Sequence, residues 1–281
     1  MSIFGWGRKA KAVERSGAGP AAARATPIRV ISKDSIFEQH LDRNAANYVP
    51  MSPIGWLKRA ADIYPDYPAI IHGERQYSYQ EFHARCCRLG SALEKLGIGP
   101  GDTVAIMSPN TPTMLEAHYG VPATGAVLNP LNIRLDADTI AFILRHGEAK
   151  ALLTDTEFAP VIKQALAKLG RKLTIIDIDD IGSGERLGDM DYEALLANGD
   201  PEAPLGLPAD EWQPLLLSYT SGTTGDPKGV VYHHRGAYIN SMANVPGWAM
   251  PKHPVFLWTL PIFHSLGWGF PWTISIMAGT H

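Results

Sequence analysis

The chain has 281 residues, of which 45% are apolar, and a formal net charge of −3 at pH 7. This length predicts about two domains, and the apolar fraction supports a large buried core. The nearly balanced charge excludes bulk attraction to nucleic acid or to an anionic membrane surface. The two cysteines, Cys86 and Cys87, are neighbours. This spacing excludes a disulfide framework and a zinc site, so a reducing compartment is expected.

Residues 1–35 form the first predicted region, a disordered basic extension. Within residues 1–31 the basic side chains outnumber the acids, of which Glu14 is the only one. A mitochondrial presequence shares this basic, acid-poor composition and stays as an alternative. The predicted location is cytoplasmic, with the mitochondrial matrix as the alternative if residues 1–31 are a presequence.

Residues 36–178 alternate helical and strand patterns and predict a first α/β subdomain. In chain order, the predicted elements are helix Pro53–Tyr64, strands Ala69–His72 and Gln76–Tyr79, a helix from the Ser78/Glu81 capping box to Leu96, strand Thr103–Met107, helix Pro112–Tyr119, strand Ala126–Asn129, helix Asp136–Arg145, strand Ala151–Thr154, helix Phe158–Leu169 and strand Leu173–Ile178. This alternation indicates mostly parallel sheets flanked by helices on both faces.

Residues 179–213 are loop-rich and acidic, with one helix near Tyr192–Ala197, and are predicted to connect two subdomains. Residues 214–281 are predicted to begin the second α/β subdomain, with strands Leu215–Tyr219 and Val230–Tyr232, helix His234–Val245 and strand Val255–Leu260. Residues 254–280 carry no acidic or basic side chain except His264, which raises a membrane-spanning alternative. Two prolines and this histidine argue against it, and buried parallel strands have equally continuous apolar runs.

The strongest functional signal is the segment 219–230, which reads Tyr-Thr-Ser-Gly-Thr-Thr-Gly-Asp-Pro-Lys-Gly-Val after an apolar run. Glycines let backbone N–H groups approach an anion closely. The hydroxyl groups and the lysine of this segment add further donors and a positive charge. A flexible surface turn would explain the glycines, but not the hydroxyl groups and the lysine in this order. The segment therefore predicts a phosphate-binding loop.

This loop does not fit the GxxxxGK[ST] pattern of kinases and GTPases, because Pro227 stands where that pattern needs a glycine before Lys228. It resembles the phosphate loop of the adenylate-forming enzymes, a family that includes acyl-CoA synthetases, luciferases and peptide-synthetase adenylation domains. Segments 77–82, 125–132 and 260–264 resemble the "TYxEL", "AGAVxxPLN" and "PxFH" segments of that family, in the same order. The resemblance covers nearly the whole chain from about residue 36.

The resemblance implies a fold, a set of ligands and a set of site residues. The implied fold is the N-terminal part of the family's large domain, α/β with mostly parallel sheets flanked by helices, and incomplete. The implied ligands are ATP, Mg²⁺, CoA and a small carboxylic acid. The residues implied to hold the phosphates are Thr220, Ser221, Gly222, Thr223, Thr224, Gly225 and Lys228. Thr224 is the implied ligand of Mg²⁺, and Lys228 also has an implied catalytic role.

The resemblance assigns the acyl side of the site to the segment after Leu260. His264 would position the carboxylate and gate the acyl tunnel, although a lone histidine in an apolar run is also typical of a buried core. Leu266 and Trp268 would line the tunnel. No acidic residue occurs from 254 to 281. A substrate ammonium would then lack a partner, so the predicted substrate is a simple acid with an apolar tail, short, medium or aryl before long-chain.

The family's "YGxTE" and "TGD" segments and its C-terminal lid have no counterpart in the sequence. The chain is therefore expected to be the first half of an AMP-forming acyl-CoA ligase of fatty acid metabolism, and to be inactive alone. The alternative is a non-catalytic remnant or a phosphate-binding module without turnover. The oligomeric state stays open, with a homodimer as one possibility.

Two other patterns favour ordinary roles. His233 and His234 are neighbours at the start of a predicted helix, where adjacent side chains diverge, and no third metal ligand stands near them. The cluster Trp248, Trp258, Trp268 and Trp272 suggests base stacking, but core packing is the favoured role for most of it.

Overall fold

The structure is a computed structural model that describes residues 29–182, 184–220, 227–267 and 269–281. The chain divides into two units, residues 1–48 and 49–281. Residues 1–28, most of the predicted disordered extension, lie outside the described residues. In the first unit, the described residues 29–48 form turns held by local hydrogen bonds, such as that from the Asn44 N–H to Asn47 Oδ1 at 2.9 Å. All helices and strands of the described residues lie in the second unit.

A seven-stranded sheet forms the centre of the second unit, beside a small antiparallel hairpin of two strands. The hairpin strands are β1 (Pro68–His72) and β2 (Arg75–Ser78). The sheet strands are β3 (Thr103–Met107), β4 (Val127–Pro130), β5 (Ala149–Asp155), β6 (Thr174–Ile178), β7 (Met190–Asp191), β8 (Pro214–Tyr219) and β9 (Gly229–His233). Their order across the sheet is β7-β6-β5-β3-β4-β8-β9, with every pair parallel except the antiparallel β8–β9.

Helices cover both faces of this sheet. The helices are α1 (Gly55–Ile63), α2 (Tyr79–Lys95), α3 (Pro112–Gly120), α4 (Ala137–His146), α5 (Ala159–Leu169), α6 (Tyr192–Ala197), α7 (His234–Gly247) and α8 (Phe270–Ile276). Several begin at a side-chain cap. Asp136 Oδ1, for example, accepts the Thr139 N–H at 2.8 Å and starts α4, since the first turn of a helix leaves backbone donors unpaired.

The core has two layers because alternate residues of a strand point to opposite faces. In β3, Val104 and Ile106 pack in one cluster with apolar residues of α1, α2, α3 and α6. The intervening Ala105 and Met107 pack in a second cluster with apolar residues of α4 and α5. All four of these side chains are fully buried. The predicted α/β fold, mostly parallel and covered on both faces, is confirmed.

Two features differ from the sequence-based prediction. The predicted strand Val255–Leu260 is wrong, because this segment has only an isolated bridge between Val255 and Thr280, and its apolar side chains are largely exposed without a neighbouring strand. Strand β8 pairs with β4, so the sheet of the first predicted subdomain continues into residues 214–233. The boundary between the two predicted subdomains stays a prediction.

The apolar region 254–280 contains the seven-residue helix α8 rather than a long helix. Within the described parts of the chain, no helix has both the length and the apolar character that a membrane crossing requires.

Candidate active site

The predicted phosphate loop joins the antiparallel strands β8 and β9. Tyr219 pairs with Gly229 at the end of this ladder, and the Thr220 N–H donates to the Lys228 carbonyl at 3.1 Å. The two stems therefore bring Thr220 and Lys228 side by side, and both are exposed. The predicted phosphate ligands Ser221, Gly222, Thr223, Thr224 and Gly225 lie outside the described residues.

A cleft of about 310 Å³ opens beside the stem of this loop. Thr220 and Pro227 line it from the loop stem, and Phe263 and His264 line it from the short 3₁₀ segment Ile262–Gly267. Thr220 and His264, predicted from separate segments, thus lie in one cleft. Lys228 does not line it. Leu266 lies in the same 3₁₀ segment, and Trp268 lies outside the described residues.

The remaining walls of the cleft come from residues that sequence reasoning did not single out. They belong to the end of β4 and the segment after it, to α4 and to the β8–β9 ladder: Pro130, Leu131, Asn132, Leu135, Thr139, Ile143, Ser218, Tyr219 and Tyr232. Pro130–Asn132 fall in the segment quoted for the family resemblance, but only the topology brings them here. Strands β4 and β8 are parallel neighbours, so their carboxyl ends meet at one edge of the sheet.

Asn110, after β3, holds the segment that carries His264. Its Oδ1 accepts the Ile262 N–H at 2.7 Å, and its Nδ2 donates to the carbonyls of Leu260 at 2.9 Å and Trp258 at 3.2 Å. Three bonds from one side chain fix a segment that has little regular pairing of its own. Sequence reasoning missed Asn110, because its partners are about 150 residues away in the chain.

Tyr219 closes the other side of the cleft. Its hydroxyl lies 2.7 Å from Nδ1 of His146, the last residue of α4. The His146 ring stacks on Phe142 at 5.3 Å between centroids. Burial raises the pKa of Tyr219, so its hydroxyl stays protonated at neutral pH.

The neighbours His233 and His234 diverge, as predicted. His233 Nδ1 accepts the Gly236 N–H at 2.8 Å and caps α7, while its ring stacks on Trp212 at 4.2 Å. His234 is buried, with Nδ1 2.9 Å from Ser52 Oγ, and burial lowers its pKa to about 4. In the described part of the chain, no three His, Cys, Asp or Glu residues form a group that could hold a metal ion.

The tryptophans have different surroundings. Trp272 is a fully buried core residue whose Nε1–H donates to the His118 carbonyl at 3.3 Å. Trp258 stacks on His281 at 5.9 Å, and Trp248 is exposed. Trp258 lines a separate apolar cavity of about 340 Å³ that contains none of the predicted site residues.

Comparison with known proteins places the chain in a family. The family described as "AMP-binding enzyme" matches residues 57–281, so the chain belongs to the AMP-binding enzymes, as the resemblance predicted. It is 46% identical over 254 residues to the peroxisomal acetate/butyrate–CoA ligase AAE7 of Arabidopsis thaliana. It is 42% identical over 258 residues to the peroxisomal trans-cinnamate:CoA ligase of Petunia hybrida.

The chain corresponds to the N-terminal part of these proteins. The two alignments cover 85% and 86% of this chain but 45% of each relative, so the chain spans about half the length of the curated relatives it matches. The inhibitor-bound N-terminal domain of FACL13 from Mycobacterium tuberculosis has the same fold, with a TM-score of 0.65 and 26% identity. That match covers 82% of this chain and 57% of the solved one.

The comparison corrects the predicted location. Both plant relatives are named as peroxisomal proteins. The cytoplasmic prediction is therefore wrong, and the mitochondrial alternative has no support. Composition could not reveal this, because an address read by a receptor leaves little trace in bulk charge or hydropathy.

Proposed function

We propose that this chain is the N-terminal part of an ATP-dependent acyl-CoA ligase. The observation that carries the proposal is the cleft of about 310 Å³ that Thr220 and His264 line together. One wall is the stem of the predicted phosphate loop, and another bears the histidine predicted to face the carboxylate. The CoA ligases among the relatives support the same reaction.

The proposed reaction has two steps. A carboxylate oxygen attacks the α-phosphorus of ATP, a P–O bond forms, and the bond to the β-phosphate breaks to release pyrophosphate. The thiolate of CoA then attacks the acyl carbonyl carbon, and AMP leaves. Both steps depend on positioning and charge neutralisation more than on a covalent protein group. An open cleft beside an anion-binding loop suits these requirements.

In this proposal, the loop 220–228 binds the phosphates and His264 orients the carboxylate. Mg²⁺ would neutralise phosphate charge, with Thr224 as its predicted ligand. His264 is exposed, with its ring 6.1 Å from that of the buried Phe263. It is therefore accessible to a substrate and is not a buried core histidine. A homodimeric state and a place in fatty acid metabolism stay predictions.

The phosphate loop can be tested by ATP–pyrophosphate exchange in the longest protein that the gene encodes. We expect Thr223→Val to lower exchange at least about tenfold, because a hydrogen bond to a charged group contributes roughly 1.5–3 kcal/mol. Lys228→Ala should lower it less if backbone and hydroxyl donors dominate. Thr174→Val is the matched control, since Thr174 is exposed at the start of β6 and does not line the cleft. Normal exchange in Thr223→Val contradicts the assignment, and a wild-type protein that binds ATP without exchange favours the non-catalytic alternative.

The substrate class can be tested with a panel of carboxylic acids. We expect activity with short, medium or aryl acids and none with amino acids, because the segment 254–281 offers no carboxylate for an ammonium group. Trp268→Ala should extend the accepted chain length, since removing an indole enlarges the tunnel that Leu266 and Trp268 are predicted to line. A preference for amino acids, or an unchanged chain-length profile in Trp268→Ala, contradicts this part of the proposal.

A further inference from the structure

Two side chains meet at the base of the phosphate loop without any role assigned to them so far. Tyr219 is the last residue of β8, immediately before the loop, and His146 is the last residue of α4. The Tyr219 hydroxyl and His146 Nδ1 are 2.7 Å apart, and the two rings meet edge to face at 5.7 Å and 81°. The contact joins residues 73 positions apart in the chain.

Two glycines leave room for the tyrosine ring between the two stems of the loop and α4. A Cβ at Gly147, directly after α4, would lie 3.2 Å from the Tyr219 hydroxyl. A Cβ at Gly229, the first residue of β9, would lie 3.0 Å from Leu217 and 3.5 Å from the Tyr219 ring. The first two of these distances are shorter than ordinary van der Waals contact, and the third lies within it. The ring therefore lies in a slot that side chains at these two positions would narrow.

The tautomer of the imidazole decides the direction of this hydrogen bond. The Tyr219 O–H donates when Nδ1 of His146 carries no proton, and the hydroxyl oxygen accepts when Nδ1 is protonated. Phe142 supports the imidazole from one side. The imidazole is thus held by the helix that lines the cleft with Thr139 and Ile143.

We propose that Tyr219 and His146 are positioning residues, which hold the end of β8 against α4 and so fix the stem from which the predicted phosphate loop starts. The proposal rests on the proposed function. Strand β9 is the last strand of the described sheet and has only β8 as a ladder partner, so the sheet alone secures one stem of the loop poorly. The contact from Tyr219 to α4 adds an attachment on the other stem and sets the distance between two walls of the cleft.

The test is a double-mutant cycle in pyrophosphate exchange, with Tyr219→Phe, His146→Ala and the double variant. Each single variant should raise the KM for ATP roughly three- to tenfold, the loss expected for one neutral hydrogen bond, while kcat changes less than about twofold. The double variant should be no worse than either single variant, because one contact is lost in all three. His146→Gln, whose amide oxygen can accept the same O–H, should recover part of the affinity.

Tyr192→Phe is the matched control. It also removes a tyrosine hydroxyl, bonded at 2.6 Å to the buried Glu116, but it lies outside the cleft. It should lower the Tm and leave the KM for ATP unchanged. An unchanged KM in Tyr219→Phe, additive effects in the double variant, or an equal rise in Tyr192→Phe overturns the proposal. Failure of the proposed function appears separately, as a wild-type protein without exchange on any carboxylate, and the positioning role falls with it.

Discussion

Asp155 places a carboxylate at the carboxyl end of β5 in an unfavourable environment. The residue is 1% exposed, and its Oδ1 accepts the Glu157 N–H at 3.1 Å. Its Oδ2 is buried and has no hydrogen-bond partner among the described residues. Burial raises the pKa of Asp155 to about 6, and the nearby carboxylates of Glu157, Asp180 and Asp179 act in the same direction. The ionised side chain therefore lowers stability at neutral pH.

Asp155→Asn should stabilise the protein at neutral pH. The amide keeps an oxygen for the Glu157 N–H but carries no charge, so the free energy of unfolding should rise by roughly 1 kcal/mol at pH 7.5. This value is below the full conversion of the pKa difference, because burying the amide of asparagine without new hydrogen bonds has its own cost. The gain should vanish near pH 4, where the aspartic acid is already protonated in the folded state. Denaturant unfolding at both pH values measures it, and equal gains at both would contradict the assignment.

Helix α2 shows how a local sequence pattern determines the residue at which a helix begins. Ser78 Oγ accepts the Glu81 N–H at 3.2 Å, and Glu81 Oε2 accepts the Ser78 N–H at 2.7 Å. The capping box predicted from the sequence is confirmed. Ser78→Ala should lower the free energy of unfolding by about 1 kcal/mol, since the Glu81 N–H loses its acceptor. Ser78→Asp, which can still cap, should lose much less, and equal losses in both variants would argue against the cap.

Most elements were predictable because their signals lie within a few residues. Thr103–Met107 is an apolar strand after a turn, and Asp136 caps α4 three residues before its partner. The antiparallel arrangement of β8 and β9 was not predicted, since strand direction depends on which strands pair. The segment 255–260 has the composition of a strand, but Val255 makes only one bridge. A segment forms a regular strand only where another strand pairs with it, and the local sequence does not show whether such a strand lies beside it.

The candidate site has local sequence signals at its loops and none at most of its walls. The predicted phosphate loop and His264 lie in recognisable motifs, and the structure places Thr220 and His264 in one cleft, while their roles stay predictions. His146 and Asn110 bond to partners 73 and 152 residues away, so nothing in the neighbouring sequence distinguishes them. Topology alone brings them against the segments that line the cleft.

Buried histidines across the molecule should make the free energy of unfolding depend on pH. Burial lowers the pKa of His118, which is fully buried, to about 4, and has the same effect on His234. His83 and His281 shift in the same direction. An unfolded histidine has a pKa of about 6.5, so below that pH the unfolded state binds protons that the folded state excludes. Stability contributed by these groups is therefore full above about pH 6.5 and falls as the pH approaches 4.

The pH profile combines this loss with the opposite effect of Asp155. Each excluded proton contributes at most about 1.4 kcal/mol per pH unit, and Asp155 regains stability below its pKa of about 6. Four histidines outweigh one carboxylate, so the free energy of unfolding should fall between pH 6.5 and 4.5, and more steeply in Asp155→Asn. The His118→Gln variant has no titrating group at this position, so the slope of its unfolding free energy against pH should decrease by the equivalent of up to one proton. Its stability at pH 7.5 should be lower than that of the wild type. Denaturant unfolding at half-unit pH intervals measures these slopes. A flat wild-type profile, or an unchanged slope in His118→Gln, would show that the buried imidazoles do not control the acid stability of this fold.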